Sequence, residues 1–148
     1  MRTMFAIVAL AGWSLCGSAY GQECNQTIEG NDLLQYSLAE IRVSAGCGEV
    51  TITLRHVGQL PVNAMGHNWV LTATADAEGV VEAGRNAGAP GYLPQGDPRV
   101  LAATDMIGGG EESSVTFDVS ALAAGGDYMF FCSFPGHYAL MKGQFIIE

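Results

Sequence analysis

The side chains best suited to chemistry in this chain fall within one run of ten residues, Cys132-Ser133-Phe134-Pro135-Gly136-His137-Tyr138-Ala139-Leu140-Met141. Cys132 offers a thiolate, His137 an imidazole and Met141 a thioether. Thiolate and thioether are soft donors, imidazole is intermediate, and copper accepts all three. A second imidazole stands far upstream at His67, within Met65-Gly66-His67-Asn68-Trp69. Two histidines, one cysteine and a weak axial methionine make up the donor set of a blue-copper centre that passes single electrons.

Each of these residues also has a plainer role. A lone Cys at the end of an apolar stretch is commonly a buried structural thiol, and a lone Met commonly fills an irregular gap in a core. Their proximity to each other and to His137 favours a metal. Pro135 and Gly136 favour a tight turn, which brings His137 back toward Cys132. Gly66 lets the backbone come close to a metal and present its carbonyl. Asn68 can hydrogen-bond across to the Cys132 loop and hold it. The third histidine, His56, ends an alternating segment and has no donor-like neighbours, so it reads as a packed, hydrogen-bonded residue.

Presenting these donors requires a rigid frame, and the chain reads as mostly strand. Residues 41–43, 49–55 and 114–119 alternate apolar and polar side chains, and 69–72, 128–132 and 144–147 are apolar segments. Short strands rich in Val, Thr, Phe and Ile, joined by Gly-rich connections, predict an all-β antiparallel sandwich or barrel. Residues 76–98 break the rhythm. A short helix is expected over 76–83 with Asp76 as its N-cap. Gly84, Gly88, Pro90, Gly91, Pro94, Gly96 and Pro98 then oppose regular structure. This segment reads as a flap packed on the sheet; the alternative is a linker, but little chain remains on either side for two cores.

The N-terminus reads as a secretory signal. Arg2 supplies positive charge, residues 4–15 form an apolar run, and Ser18-Ala19-Tyr20-Gly21 offers small residues for cleavage. Cleavage after Gly21 leaves residues 22–148 as one domain. The alternative, a membrane anchor, is disfavoured because the run is short for a bilayer. Export changes the cysteine arithmetic. Cys16 leaves with the signal, so Cys24, Cys47 and Cys132 remain. Two of three are expected to pair in an oxidising compartment. Cys24 and Cys47 have no candidate ligand beside them and are paired here, a closure that stabilises the fold by about 3 kcal/mol. Cys132 remains free for metal. After cleavage, five basic residues face fifteen acidic ones, a net charge of −10 with neutral histidines. No basic cluster suits nucleic acid.

With these residues in view, the chain resembles the azurins, bacterial members of the cupredoxin family. The match lies in Met65-Gly66-His67-Asn68-Trp69-Val70, in Tyr128-Met129-Phe130-Phe131-Cys132-Ser133-Phe134-Pro135-Gly136-His137 and in Ala139-Leu140-Met141-Lys142-Gly143. Gly30-Asn31-Asp32, the 114–120 strand and the Cys24/Cys47 spacing add to it. The resemblance implies an eight-stranded cupredoxin-like Greek-key barrel with a short helical flap and one copper near one end. It implies His67, Cys132 and His137 as strong ligands, with Met141 and the Gly66 carbonyl as weak axial contacts. Asn68 and Ser133 would tie the ligand loops together, and Trp69 would point into the core. Leu34, Met65, Phe134, Pro135 and Gly136 would form an apolar electron-transfer surface around His137. Arg85, in the flap, would stand near a rim that is more apolar in the family.

The implied protein is a periplasmic, monomeric one-electron carrier, free of the membrane after cleavage. It would dock transiently with redox proteins such as c-type cytochromes or periplasmic reductases and dehydrogenases. A copper enzyme of the multicopper oxidase or nitrite reductase kind needs further histidines, and the chain has three in all. No general base, nucleophile or substrate pocket is recognisable, so an enzyme is not expected. The other alternative is a copper or zinc storage cupredoxin without an electron-transfer role, since zinc also favours Cys and His.

Overall fold

Alternation of apolar and polar side chains builds eight strands in the computed structural model, which describes residues 24–148. The expected signal at 1–21 and its cleavage point lie outside the described residues. The strands are β1 (Asn25–Gly30), β2 (Glu40–Val43), β3 (Glu49–His56), β4 (Val70–Ala73), β5 (Ala102–Ala103), β6 (Glu112–Asp118), β7 (Tyr128–Phe131) and β8 (Lys142–Ile147). They form two sheets, β1-β3-β6 and β2-β8-β7-β4-β5. The arrangement is a sandwich; the two sheets do not close into one hydrogen-bonded barrel. Nor is it wholly antiparallel. β1 runs parallel to β3, and β2 runs parallel to β8.

The inward face of each strand supplies the core. Ile28, Val50, Ile52 and Leu54 come from the smaller sheet; Ile41, Val43, Leu71, Phe130, Phe145 and Ile147 come from the larger. Each such side chain, fully buried, stabilises the fold by about 1.5–3 kcal/mol. Trp69 is fully buried among them, with ring centroids 6.0 Å from Phe117, 5.9 Å from Phe130 and 6.0 Å from Phe145. The Cys24–Cys47 disulfide is present and anchors the start of β1 beside the turn leading into β3. Cys132 is a free, buried thiol.

Among the described residues two α-helices complete the frame, α1 (Val62–Met65) and α2 (Ala77–Ala87). α2 departs from the sequence expectation in two ways. Asp76 stands at the expected N-cap position but makes no side-chain capping bond, and the helix continues through Gly84 to end before Gly88, whose φ is 75°. Gly84 therefore does not terminate the helix; it allows a close contact described below. α2 buries Ala77, Val80, Val81 and Gly84. Val80 and Val81 pack on Val70 and Phe131, the outward-facing side chains of the larger sheet. This is why β4 and β7 carry apolar residues on consecutive positions. The 76–98 segment lies between β4 and β5, which pair with each other in the larger sheet, so among the described residues it is a flap on that sheet.

Candidate metal centre

The loop after β7 and the turn before β4 meet at one end of the sandwich. His67 is held by a two-way backbone pair with Ile107, at 2.9 and 2.8 Å. Cys132 donates its N–H to the Met141 carbonyl at 3.0 Å, which folds the C-terminal loop back on itself. Gly136 takes a left-handed φ of 86°, and His137 then starts a short 3-10 turn whose carbonyl accepts the Leu140 and Met141 N–H groups. The turn expected from Pro135 and Gly136 is thus present and returns His137 toward Cys132.

Cys132 Sγ lies 3.6 Å from His137 Nδ1 and 4.0 Å from His67 Nδ1, and 3.8 Å from the Gly66 carbonyl oxygen. The three donor atoms Sγ, Nδ1 and Nδ1 fall within 4.8 Å of one another. Bond lengths of about 2.0 Å to nitrogen and 2.3 Å to sulfur place a sulfur and a nitrogen donor of a shared ion about 3.7 Å apart in a trigonal arrangement. The observed spacings bracket that distance, so the donor set fits one metal. Met141 is fully buried, and Gly30 leaves room beside it. A Cβ on Gly30 would stand 2.8 Å from His67 Cδ2 and 3.5 Å from Met141 Cε.

Protonation follows the same logic. His67 Nε2 donates to the Asn31 carbonyl at 2.9 Å, which leaves Nδ1 with its lone pair toward Cys132. Burial, followed by the neighbouring His67 and His56 rings, lowers His137 to about 4; burial likewise lowers His67. Both imidazoles are therefore neutral donors at neutral pH. Burial pushes the Cys132 thiol up to about 11, opposed by the N–H groups of Asn68 and Phe134. To hold a cation, Cys132 would have to give up its thiol proton to solvent and bind as the thiolate.

Asn68 and Ser133 join the two ligand-bearing loops. Ser133 N–H donates to Asn68 Oδ1 at 2.9 Å, and Asn68 Nδ2 donates to Ser133 Oγ at 2.8 Å. The Gly91 carbonyl of the flap accepts from Ser133 Oγ at 3.0 Å and from Asn68 Nδ2 at 3.4 Å. The half-buried Tyr36 donates its hydroxyl to the Asn68 carbonyl. His56 is packed as expected. Its ring stacks on His67 at 4.3 Å, its Nε2 donates to the Met65 carbonyl at 2.8 Å, and its Nδ1 accepts the Gly58 N–H at 3.1 Å.

Of the candidate ligands, His137 alone retains exposure, at 5%; His67, Cys132 and Met141 have none. Phe134 packs on its ring at 4.5 Å, and Pro135 and Gly136 are exposed beside it. Leu34 and Met65 are half-buried, while Leu33 is 72% and Leu140 66% exposed. Asp32 accepts from the N–H groups of Gln59 and Leu60, tying the Leu33 turn to the segment that leads to α1. Arg85 is exposed, shares a groove with Tyr138, Val81, Glu78 and Glu82, and is in none of the ion pairs among the described residues. Sequence reasoning did not identify the Asn31 and Gly91 carbonyls, Tyr36, Leu33 or the His56–His67 stack. Only Gly30-Asn31-Asp32 carried a trace of them, as one of the matches in the family resemblance.

A two-sheet sandwich that brings a buried Cys, two His and a Met together at one end defines a single-copper protein of the cupredoxin class. Relatives agree. The model of the copper-binding plastocyanin/azurin family matches residues 22–148, and the chain belongs to that family. It is 56% identical over 122 residues to the azurin of Achromobacter denitrificans, covering 82% of each chain. It is 51% identical over 127 residues to the azurin of Pseudomonas aeruginosa, covering 85% of this chain and 86% of that one. An azurin structure (Az-iso2) from Methylomonas sp. strain J matches at 44% identity with a TM-score of 0.81, over 84% of this chain and 98% of that one. The cofactor is a type 1 copper, and the family role is that of a blue-copper electron carrier.

Proposed function

We propose that the chain, once cleaved after Gly21, is a periplasmic one-electron carrier whose copper is held by His67 Nδ1, Cys132 Sγ and His137 Nδ1. The Met141 thioether and the Gly66 carbonyl would complete the site as weaker donors. Copper supplies the Cu(II)/Cu(I) couple. The protein would supply donors already held in place by hydrogen bonds of their own. His67 is fixed by Asn31 and Ile107, and the Cys132 loop by Asn68 and the Met141 carbonyl. Fully buried Phe130 and Phe131, and Phe134 at the rim, exclude water. The observation that carries this reading is the convergence of three buried donors at the spacing one ion requires.

The exit for the electron is the edge of His137. Phe134, Pro135 and Gly136 form an uncharged collar there, and half-buried Leu34 and Met65 are the further apolar residues assigned to this surface. A partner can approach it closely without desolvating ions, and the complex is expected to be small and short-lived, as redox encounters are. Redox proteins such as c-type cytochromes or periplasmic reductases are the fitting partners, met by a monomer. The test is to add Cu(II) to the purified mature protein. An intense blue thiolate-to-copper band is expected, and Cys132→Ser should abolish it. A strong band surviving in Cys132→Ser would overturn the ligand assignment. A blue protein with no measurable electron self-exchange would instead indicate copper storage.

A further inference from the structure

The flap does more than cover the sheet, because one short stretch of it touches both ligand-bearing loops. Residues 88–95 leave the end of α2 and pass back across it. At their crossing the Tyr92 backbone occupies the space where Gly84 would carry a side chain. A Cβ on Gly84 would stand 2.1 Å from the Tyr92 carbonyl oxygen, 2.9 Å from its carbon and 3.5 Å from the Leu93 nitrogen. These are backbone atoms, so no flexible side chain can yield. The stretch is secured further by the Tyr92 N–H, which donates to the Gly88 carbonyl at 2.9 Å. Tyr92 itself adopts a φ of 48°, a left-handed conformation that a tyrosine keeps only when its surroundings enforce it.

Beyond this anchor the contacts lead directly to the donors. The Tyr92 ring meets Phe134 edge-on at 5.4 Å, and Phe134 packs on the His137 ring at 4.5 Å. The preceding residue, Gly91, gives its carbonyl to Ser133 Oγ and Asn68 Nδ2, the pair that ties the Cys132 and His67 loops. We propose that Gly84 and Tyr92 are positioning residues for the copper ligands: α2 seats Tyr92, Tyr92 seats Phe134 against His137, and Gly91 clamps the loops of Cys132 and His67. The inference rests on the ligand assignment above. It assigns to a helix on the outer face of the sheet a part in setting the geometry of the metal site. Neither residue touches a donor atom, so each acts through its neighbours.

Four variants of the full mature protein test this: Gly84→Ala, Tyr92→Leu, Tyr92→Phe and, as a control, Gly79→Ala. Gly79 lies on the same helix, but its added Cβ meets only the far end of the Arg99 side chain, at 2.6 Å, which can move aside. The readouts are the visible and EPR spectra of the copper form, the rate of copper loss to a chelator, and the His137 imidazole resonances of the apoprotein by NMR. Gly84→Ala and Tyr92→Leu should displace the spectra, shift the His137 resonances and release copper about tenfold faster or more. Tyr92→Phe, which keeps the ring, should restore wild-type behaviour, and Gly79→Ala should not depart from it. Folded Gly84→Ala and Tyr92→Leu proteins with wild-type spectra, release rates and resonances would overturn the inference. If Gly84→Ala does not fold, Tyr92→Leu decides by the same two outcomes. A wild-type protein that fails to turn blue would overturn the metal site itself; a blue wild type with unmoved variants overturns only the positioning role.

Discussion

Asn68→Ala should damage both the fold and the metal site, by amounts that can be worked out from its contacts. Asn68 is fully buried. Its removal leaves the Ser133 N–H without its acceptor at 2.9 Å, while Ser133 Oγ keeps the Gly91 carbonyl at 3.0 Å. One orphaned buried donor costs about 1–3 kcal/mol, and the lost Asn68 Nδ2 bond to Ser133 Oγ contributes about 1 kcal/mol more. The apoprotein should therefore lose about 2–4 kcal/mol, a large share of a typical total of about 5–15 kcal/mol. Ser133→Ala should cost less, about 1–2 kcal/mol, because its backbone N–H still reaches Asn68 Oδ1. Denaturant unfolding of the two single variants and the double variant gives the coupling between them, expected at about 1–2 kcal/mol within the usual range for contacting residues. Copper release to a chelator should quicken about 10- to 100-fold in Asn68→Ala, since the two ligand loops are no longer tied. A coupling below about 0.3 kcal/mol, together with unchanged copper release, would refute the claim that this pair holds the loops in register.

Other perturbations probe separate parts of the structure. Met141→Leu conserves volume in a fully buried position, so it should cost under about 1.5 kcal/mol. It should stay blue with a raised reduction potential by voltammetry, because losing thioether donation disfavours Cu(II); loss of all copper binding would show the thioether to be a holding ligand. Met65→Lys places like charges face to face when two copies dock, about 1 kcal/mol at 4 Å in water, so electron self-exchange by NMR line broadening should slow about fivefold. An unchanged rate in folded, copper-loaded protein would mean that the electron leaves by another face. In the apoprotein, burial holds His137 at about 4 and also lowers His67, below their unfolded values near 6.5. The folded state then binds fewer protons than the unfolded state, so stability should be full above pH about 6.5 and fall as pH drops through about 4. Denaturation midpoints across that range check the sign; a midpoint that rises on acidification would contradict it.

The sequence by itself determined the chemistry of the site. Cys132, His137 and Met141 are legible because they share one short loop, where covalent spacing and the Pro135-Gly136 turn limit how far apart they can be. His67 was legible through its neighbours Gly66 and Asn68. The core strands were legible for the same local reason: alternation in residues 49–55 and 114–119 matches the period of the pleat. Tertiary structure decided the rest. β1 carries only Ile28 as a buried apolar residue, so it has little pattern to read; it is a strand because its backbone pairs with β3. The acceptors that orient His67 and clamp Ser133 are the carbonyls of Asn31 and Gly91, and a carbonyl is common to every residue type, so composition cannot mark it. Gly84 looked like a helix breaker because glycine disfavours helix locally, and it proved to be a contact point because the Tyr92 backbone crosses it. The stack of His56 on His67 joins the end of one sheet to the loop that enters the other, and only the packing of the two sheets brings those rings together.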